Sequence, residues 1–138
     1  MRRALPLSAL TATLILAGCS GVTAPDLFVV NRYGATPGAK LTLLVDEEGG
    51  VSCDGREASQ KLEDAQIVKA REIQEEILKP SSTHLSLPPQ KGSTLSYRVR
   101  DESGTVSFSD NSAGQPLVLH KLQLFVLQAA QQICHLSE

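Results

Sequence analysis

A thiol is the most reactive group this 138-residue chain offers, and it occurs at three positions, Cys19, Cys53 and Cys134. A thiolate is a nucleophile and a metal ligand, and two thiols in an oxidising compartment close a disulfide. The metal reading needs partners at ligand spacing. His84, His120 and His135 are too far apart for any two to share a helical turn, and there is no H-x-x-x-H, C-x-x-C or calcium-loop pattern. No metal or cofactor is therefore expected. Serine catalysis needs a positioned base, and neither such a pairing nor a G-x-S-x-G elbow is visible. Asp46-Glu47-Glu48 carries enough charge to attract a cation but reads first as an acidic solvated turn, and Asp101-Glu102-Ser103-Gly104 reads as turn chemistry. Asp54-Gly55-Arg56 and Asp110-Asn111-Ser112 read as residues that cap or turn the chain at strand ends.

The surroundings of Cys19 are the most informative. Met1-Arg2-Arg3 precede an apolar run from Ala4 to Ala17, and Gly18 and Ser20 flank the cysteine. A positive start, a short apolar stretch and small residues before a cut site make a signal peptide, residues 1–18. The run, about 14 residues, falls short of the roughly 20 that span a bilayer. The paired arginines lack the surrounding pattern of a twin-arginine signal, so ordinary secretion is expected. Leu16-Ala17-Gly18-Cys19 resembles the lipobox of bacterial lipoproteins. That resemblance implies a diacylglyceryl group on the Cys19 thiol and cleavage just before it. Two acyl chains, at about 0.8 kcal/mol per buried CH₂, hold where one is marginal.

Loss of Arg2 and Arg3 with the signal lowers Lys plus Arg from 13 to 11 against 15 acids, a mature charge of −4. Nucleic acid asks for a basic surface, and so does attachment to anionic lipid by charge alone. Neither is expected. The lipid itself is the membrane contact.

The elements that must position the remaining residues follow from periodicity. Residues 19–26 form the lipidated cysteine and a short tether, and 27–138 a single domain. Leu27 to Tyr33 reads as a strand, with Leu27, Val29 and Asn31 on one face and Phe28 and Val30 on the other. Leu41 to Val45 and Val51 to Cys53 flank a polar, Gly-containing turn, a hairpin signal. Leu95, Tyr97, Val99, Val106 and Phe108 alternate with polar residues about a second turn, which predicts a sheet with one wet face. Leu85 to Leu87 suits a short extra strand ended by Pro88-Pro89. A first helix is expected from near Glu63, with Leu62 and Ile67 as a hydrophobic staple, Gln66 as a capping-box residue, a stripe of Ile67, Ala70, Ile73, Ile77 and Leu78, and Pro80 as its end. A second follows Pro116, its apolar arc running from Val118 to Ile133. Leu117, Leu124 and Leu127 fall outside that arc. They are expected under the long Lys79–Gly92 loop, the alternative being a small partner-binding patch. Together this is an α+β fold, an antiparallel sheet of about five strands with two amphipathic helices on one face.

With Cys19 taken by lipid, Cys53 and Cys134 remain as an even pair in an oxidising compartment. If the two hairpins align as a pseudo-repeat, Cys53 matches Phe108 and faces inward, while Cys134 lies at the edge of the second apolar arc. A disulfide tying the last helix to the sheet is the first reading. Two free buried thiols, or a catalytic thiol near His135, are the others, although residues adjacent on a helix point about 100° apart.

Along the mature chain, Leu27-Phe28-Val29-Val30, Leu41-Thr42-Leu43-Leu44-Val45, Val51-Ser52-Cys53-Asp54-Gly55, Leu95-Ser96-Tyr97-Arg98-Val99-Arg100 and Leu124-Phe125-Val126-Leu127-Gln128-Ala129-Ala130 carry a further resemblance. They are similar to small lipoproteins of high-GC Gram-positive (actinobacterial) type whose activity is unassigned. The resemblance implies the outer leaflet of the cell membrane, or the outer membrane in a host that has one, and supplies no catalytic residue. The expected function is a membrane-anchored, extracytoplasmic, non-enzymatic binding or interaction module. The alternative is a small inhibitor or accessory subunit of an exported enzyme, acting through the Lys79–Gly92 loop.

Overall fold

Two aspartates close the two hairpins that alternation predicts. Asp46 Oδ1 accepts from the backbone N–H groups of Glu48 (2.8 Å) and Gly50 (2.7 Å), and Asp101 Oδ1 from those of Ser103 (2.7 Å) and Gly104 (3.0 Å). Each carboxylate thus satisfies turn donors that the strand ladders leave over. The computed structural model describes residues 25–136. The expected signal peptide, Leu16, Ala17, Gly18 and Cys19 lie outside the described residues. Six strands form, β1 (Asp26–Gly34), β2 (Leu41–Asp46), β3 (Val51–Cys53), β4 (Arg56–Glu57), β5 (Leu95–Arg100) and β6 (Thr105–Ser109). Helix α1 (Asp64–Ser82) separates β4 from β5, and α2 (Leu117–Gln132) follows β6.

The strands make one antiparallel sheet in the order β4-β3-β2-β1-β5-β6. The fold class is α+β, with six strands rather than about five. The added strand is β4, joined to β3 by the two-residue turn Asp54-Gly55, both at positive φ (52° and 80°). Asp-Gly in that conformation matches the right-handed twist of the flanking strands. Strand β1 is the seam between two hairpins, pairing with β2 on one side and β5 on the other. The hairpins are equivalent in register. Leu43 faces Cys53 and Val45 faces Val51 in the first, as Tyr97 faces Phe108 and Val99 faces Val106 in the second.

One face of the sheet is dry. Phe28, Val30, Leu43, Val45, Val99 and Val106 are all at most 1% exposed beneath the helices. Ala70, Ile73 and Ile77 come from α1, and Val118, Leu119, Leu122, Phe125, Val126, Ala129 and Ala130 from α2. The helices run antiparallel. Near one end Gln66 donates to Gln132 (3.2 Å), and near the other Lys121 donates to Glu76 (2.6 Å). The Glu76 carboxylate, through that hydrogen bond, holds the Lys121 ammonium above its usual range. Helix α1 reaches from the β2–β3 turn, where the Leu62 N–H donates to Gly49 O (2.9 Å), to the β5–β6 turn, where the Ser81 hydroxyl donates to Asp101 (2.7 Å). Gly104 in that turn is obligatory, since a Cβ there would strike the Ser81 carbonyl.

Helix α1 starts as expected, with the Glu63 N–H donating to Gln66 Oε1 (2.9 Å), but Pro80 does not end it. The proline sits in the last turn, so its missing N–H costs one bond at the carbonyl of the exposed Glu76. Hydroxyls of Ser81, Ser82 and Thr83 bond the carbonyls of Leu78 and Lys79 instead. Termination falls to His84, at φ 51°, with His84 N–H to Ser81 O (2.9 Å) and Leu85 N–H to Pro80 O (3.0 Å). That is a Schellman end with histidine in the position glycine usually takes. The Leu85–Leu87 segment makes a single parallel bridge, Ser86 to Ser107, rather than a full strand.

The segment after it is fastened to the sheet. Asp110 accepts from the hydroxyls of Ser93 and Thr94 (2.7 Å each) and from the backbone N–H groups of Thr94 and Leu95. Partial burial raises the Asp110 pKa, yet those four donors outweigh it, and its carboxyl titrates below the ordinary 3.8. Such a group stabilises the fold above its unfolded pKa and loses that contribution as pH falls through its lower folded value. Asp110→Asn is therefore expected to cost about 1–2 kcal/mol at neutral pH. Urea denaturation of both proteins should show the gap at pH 7 and its closure in acid below the ordinary aspartate range.

Candidate functional site

The disulfide brings together parts of the chain that are far apart in sequence. Cys53 ends β3 on the helix-covered face, opposite Leu43. Helix α2 supplies the other half as its last turn loosens: the N–H groups of Ile133 and Cys134 both donate to Ala129 O (2.9 Å each). Cys53 and Cys134 are bonded, with Cα atoms 5.8 Å apart and a sequence separation of 81. Both sulfur atoms are committed to that bond, so neither is a nucleophile in this state. His135 follows at φ 55°, exposed, and turns the chain so that the Leu136 N–H folds back to Ala130 O (2.9 Å).

A groove of about 460 Å³ opens beside the disulfide. The β3–β4 turn and the segment after it form one wall, through Asp54, Arg56, Glu57, Ala58 and Ser59; Ile133, His135 and Leu136 form the other. A second, more polar hollow of about 670 Å³ adjoins it at Ile133 and includes Lys61, Glu63, Gln66 and Gln132. The lining of the first mixes both charge signs with apolar side chains. Such a surface can hold a peptide edge or a small amphipathic ligand by shape and hydrogen bonding. The chain that forms it is held at both ends. Thr42 N–H donates to Asp54 Oδ1 and Asp54 N–H to Thr42 O (2.8 Å each), and Ala58 N–H donates to Val51 O (2.8 Å).

The other residues singled out from the sequence do not join this site. His84 and His120 are exposed on different elements. The carboxylates of Asp46 and Asp101 bond the backbone of their own turns, Asp101 accepting from Ser81 as well, and among the described residues no group of three His, Cys, Asp or Glu side chains is arranged to hold a metal ion. No helix among the described residues is long and apolar enough to cross a membrane. The loop expected to cover the outer leucines of α2 does not do so. It is pinned to β6 on the far side, where the Leu87 N–H donates to Ser107 O (2.8 Å) and Asn111 bonds Gln90 and Lys91. Leu117 and Leu124 are consequently 69% and 55% exposed.

One buried residue escapes the reading of the sequence. Arg32 is 1% exposed on the dry face of β1, its Nε donating to Ala39 O (2.8 Å) and an Nη to Gly38 O (3.0 Å). The signal was the alternation itself, since Phe28 and Val30 inward place Arg32 inward too. Its guanidinium fixes the β1–β2 connection at the end of the sheet where the groove's Asp54 anchors to Thr42.

No family model, curated protein or solved structure matches the chain.

Two stability outcomes follow. Arg32→Met keeps volume but leaves the Gly38 and Ala39 carbonyls without their donor, and about 3 kcal/mol should be lost, measured by urea denaturation. Cys53→Ser with Cys134→Ser opens a long loop in the unfolded chain, and a loss of about 4 kcal/mol is expected by chain-entropy reasoning. In the parent, thiol titration in denaturant should give no reaction at either position until reductant is added.

Proposed function

We propose that the chain is a lipid-anchored extracytoplasmic lipoprotein that serves as a non-enzymatic binding module, presenting the disulfide groove to an exported partner. The observation that carries this reading is that the chain enters at the β2–β3 turn while the groove opens sideways on the β3–β4 edge of the sheet. The carbonyl of Pro25 accepts from the Glu47 N–H (3.0 Å), so the chain joins the domain at the β2–β3 turn. Six residues from Ser20 to Pro25 reach roughly 20 Å when extended, which keeps that end near any bilayer holding Cys19. The acidic residues Asp46, Glu47, Glu48, Asp101 and Glu102 sit at the same end. Anionic headgroups repel them, so the domain stands off the surface with its groove clear. A groove walled by a disulfide is also preorganised, which lowers the ordering cost of binding.

The alternative of a small inhibitor or accessory subunit has its own support in residues 83–94. Asn111 and Asp110 hold this segment rigid, as a binding loop requires. The two readings separate on variants. Arg56→Glu with His135→Glu should abolish capture of a partner through the groove, whereas Asn111→Ala should abolish it through the loop.

Membrane attachment is tested first. Cys19→Ser should move the chain out of the membrane fraction, with loss of metabolically incorporated palmitate. Retention of a mature-sized chain in washed membranes would end the lipid reading.

A further inference from the structure

The helices leave the second face of the sheet bare among the described residues. Its residues form rows that the strand registers define. One row crosses the sheet as Glu57, Ser52, Leu44, Val29, Arg100 and Thr105. The next is Thr42, Asn31, Arg98 and Ser107, with Asp54 tied to Thr42 at its outer end. Apolar Val29 and Leu44 stand side by side on the central strands, half-buried, and Tyr33 on the same face is 47% exposed. Beside Val29 and Leu44, Thr42 Oγ1 donates to Asn31 Oδ1 (2.9 Å), so these two polar groups already satisfy each other. Charge divides about this centre. Arg98 and Arg100 lie on β5 to one side, and Asp54 and Glu57 at the β3–β4 hairpin to the other, all exposed. Among the described residues no hydrogen bond or ion pair uses the side chains of Arg98, Arg100 or Glu57.

The geometry points to a second copy of this chain as the occupant of that face, related by a two-fold axis running along the strands over the β1–β2 seam. That rotation lays β5 of one copy on β3 of the other while keeping each row at its own height. Val29 then meets the partner's Leu44, Arg98 meets the partner's Asp54, and Arg100 comes between the partner's Ser52 and Glu57. Every contact occurs twice, as an isologous interface requires, and face-to-face sheets accept such an alignment at about 10 Å separation. A face about 29 Å wide and 17 Å tall buries roughly 1,000 Å² over both copies, the lower bound of a specific pair. An axis along the strands also puts both Pro25 residues at one end, so two tethers reach a single bilayer. The carboxylates of Asp26 and Asp46 lie at that end, where twisted sheets diverge, and Asp46 is turned into its own hairpin.

The test is sedimentation equilibrium of the full chain in density-matched detergent with micelles in excess. It reads association whatever the state of Cys19, so its outcome is independent of the fractionation above. The parent should have dimer mass. Arg100→Glu and Glu57→Arg should each weaken self-association by more than about tenfold through like-charge contacts. An equimolar mixture of the two variants should recover the dimer, because each then meets its opposite charge on both sides of the axis. Both positions are exposed, and circular dichroism verifies the fold; Arg98→Glu is a second variant on the same face. A parent that stays monomeric at all concentrations, variants that associate as tightly as the parent, a mixture that does not recover, or a different protein co-purifying in place of the second copy would each overturn the proposal.

Discussion

Strand β1 is the seam on which the molecule depends. Without its two ladders the sheet separates into a β2–β3–β4 hairpin group and a β5–β6 hairpin, and an isolated hairpin in water is marginal at best. The seam holds because the dry side of β1 is occupied along its length. Phe28 meets Phe125 of α2 edge to face with ring centroids 5.9 Å apart, Val30 is fully buried, and Arg32 closes the far end through two backbone carbonyls. A buried guanidinium is costly unless each donor has a partner. The carbonyls of Gly38 and Ala39 take two of those donors and make the charge a clamp on the connection to β2.

The helices bind the two hairpins to each other. Helix α1 follows the first hairpin in sequence but packs on β6 and β1, and α2 follows the second but packs on β2. Each hairpin is therefore roofed partly by the helix that belongs to the other. The disulfide makes that exchange covalent, joining the last turn of α2 to β3. The groove arises where the end of α2 meets the β3–β4 hairpin, which is why its walls come from residues 53–59 and 133–136.

Much of this framework is legible in the residues. Clean alternation over Leu95–Phe108, the staple at Leu62 and Ile67, and the apolar arc of α2 identify the strands and helices because each pattern runs long enough to establish a period. Parity of the remaining cysteines, with Cys53 facing inward, points to the bond that is present. Strand β4 escapes because two residues carry no alternation, although Asp54-Gly55 is a strong turn signal. Pro80 misleads because its cost depends on position within the last turn, where the hydroxyls of Ser81, Ser82 and Thr83 bond the final carbonyls. Arg32 is passed over because charge argues for water more loudly than alternation argues for burial. The exposure of Leu117 and Leu124 depends on where a loop goes, and that is set by bonds to Ser107 and Asn111 that no local pattern announces. The groove is hardest to read, being assembled from segments some 80 positions apart.

The exchange of helices also fixes when native packing can exist during synthesis. When the ribosome has released the chain through α1, that helix has no β6 to rest on, β1 lacks one of its two neighbours, and Cys53 has no mate. Helix α1 can rest on β1 but not on β6, and the contacts that join the two hairpins are long in sequence, which slows their formation. The native packing of the two hairpins on each other is thus complete only once α2 is available, which gives the carboxyl end control over the final closure.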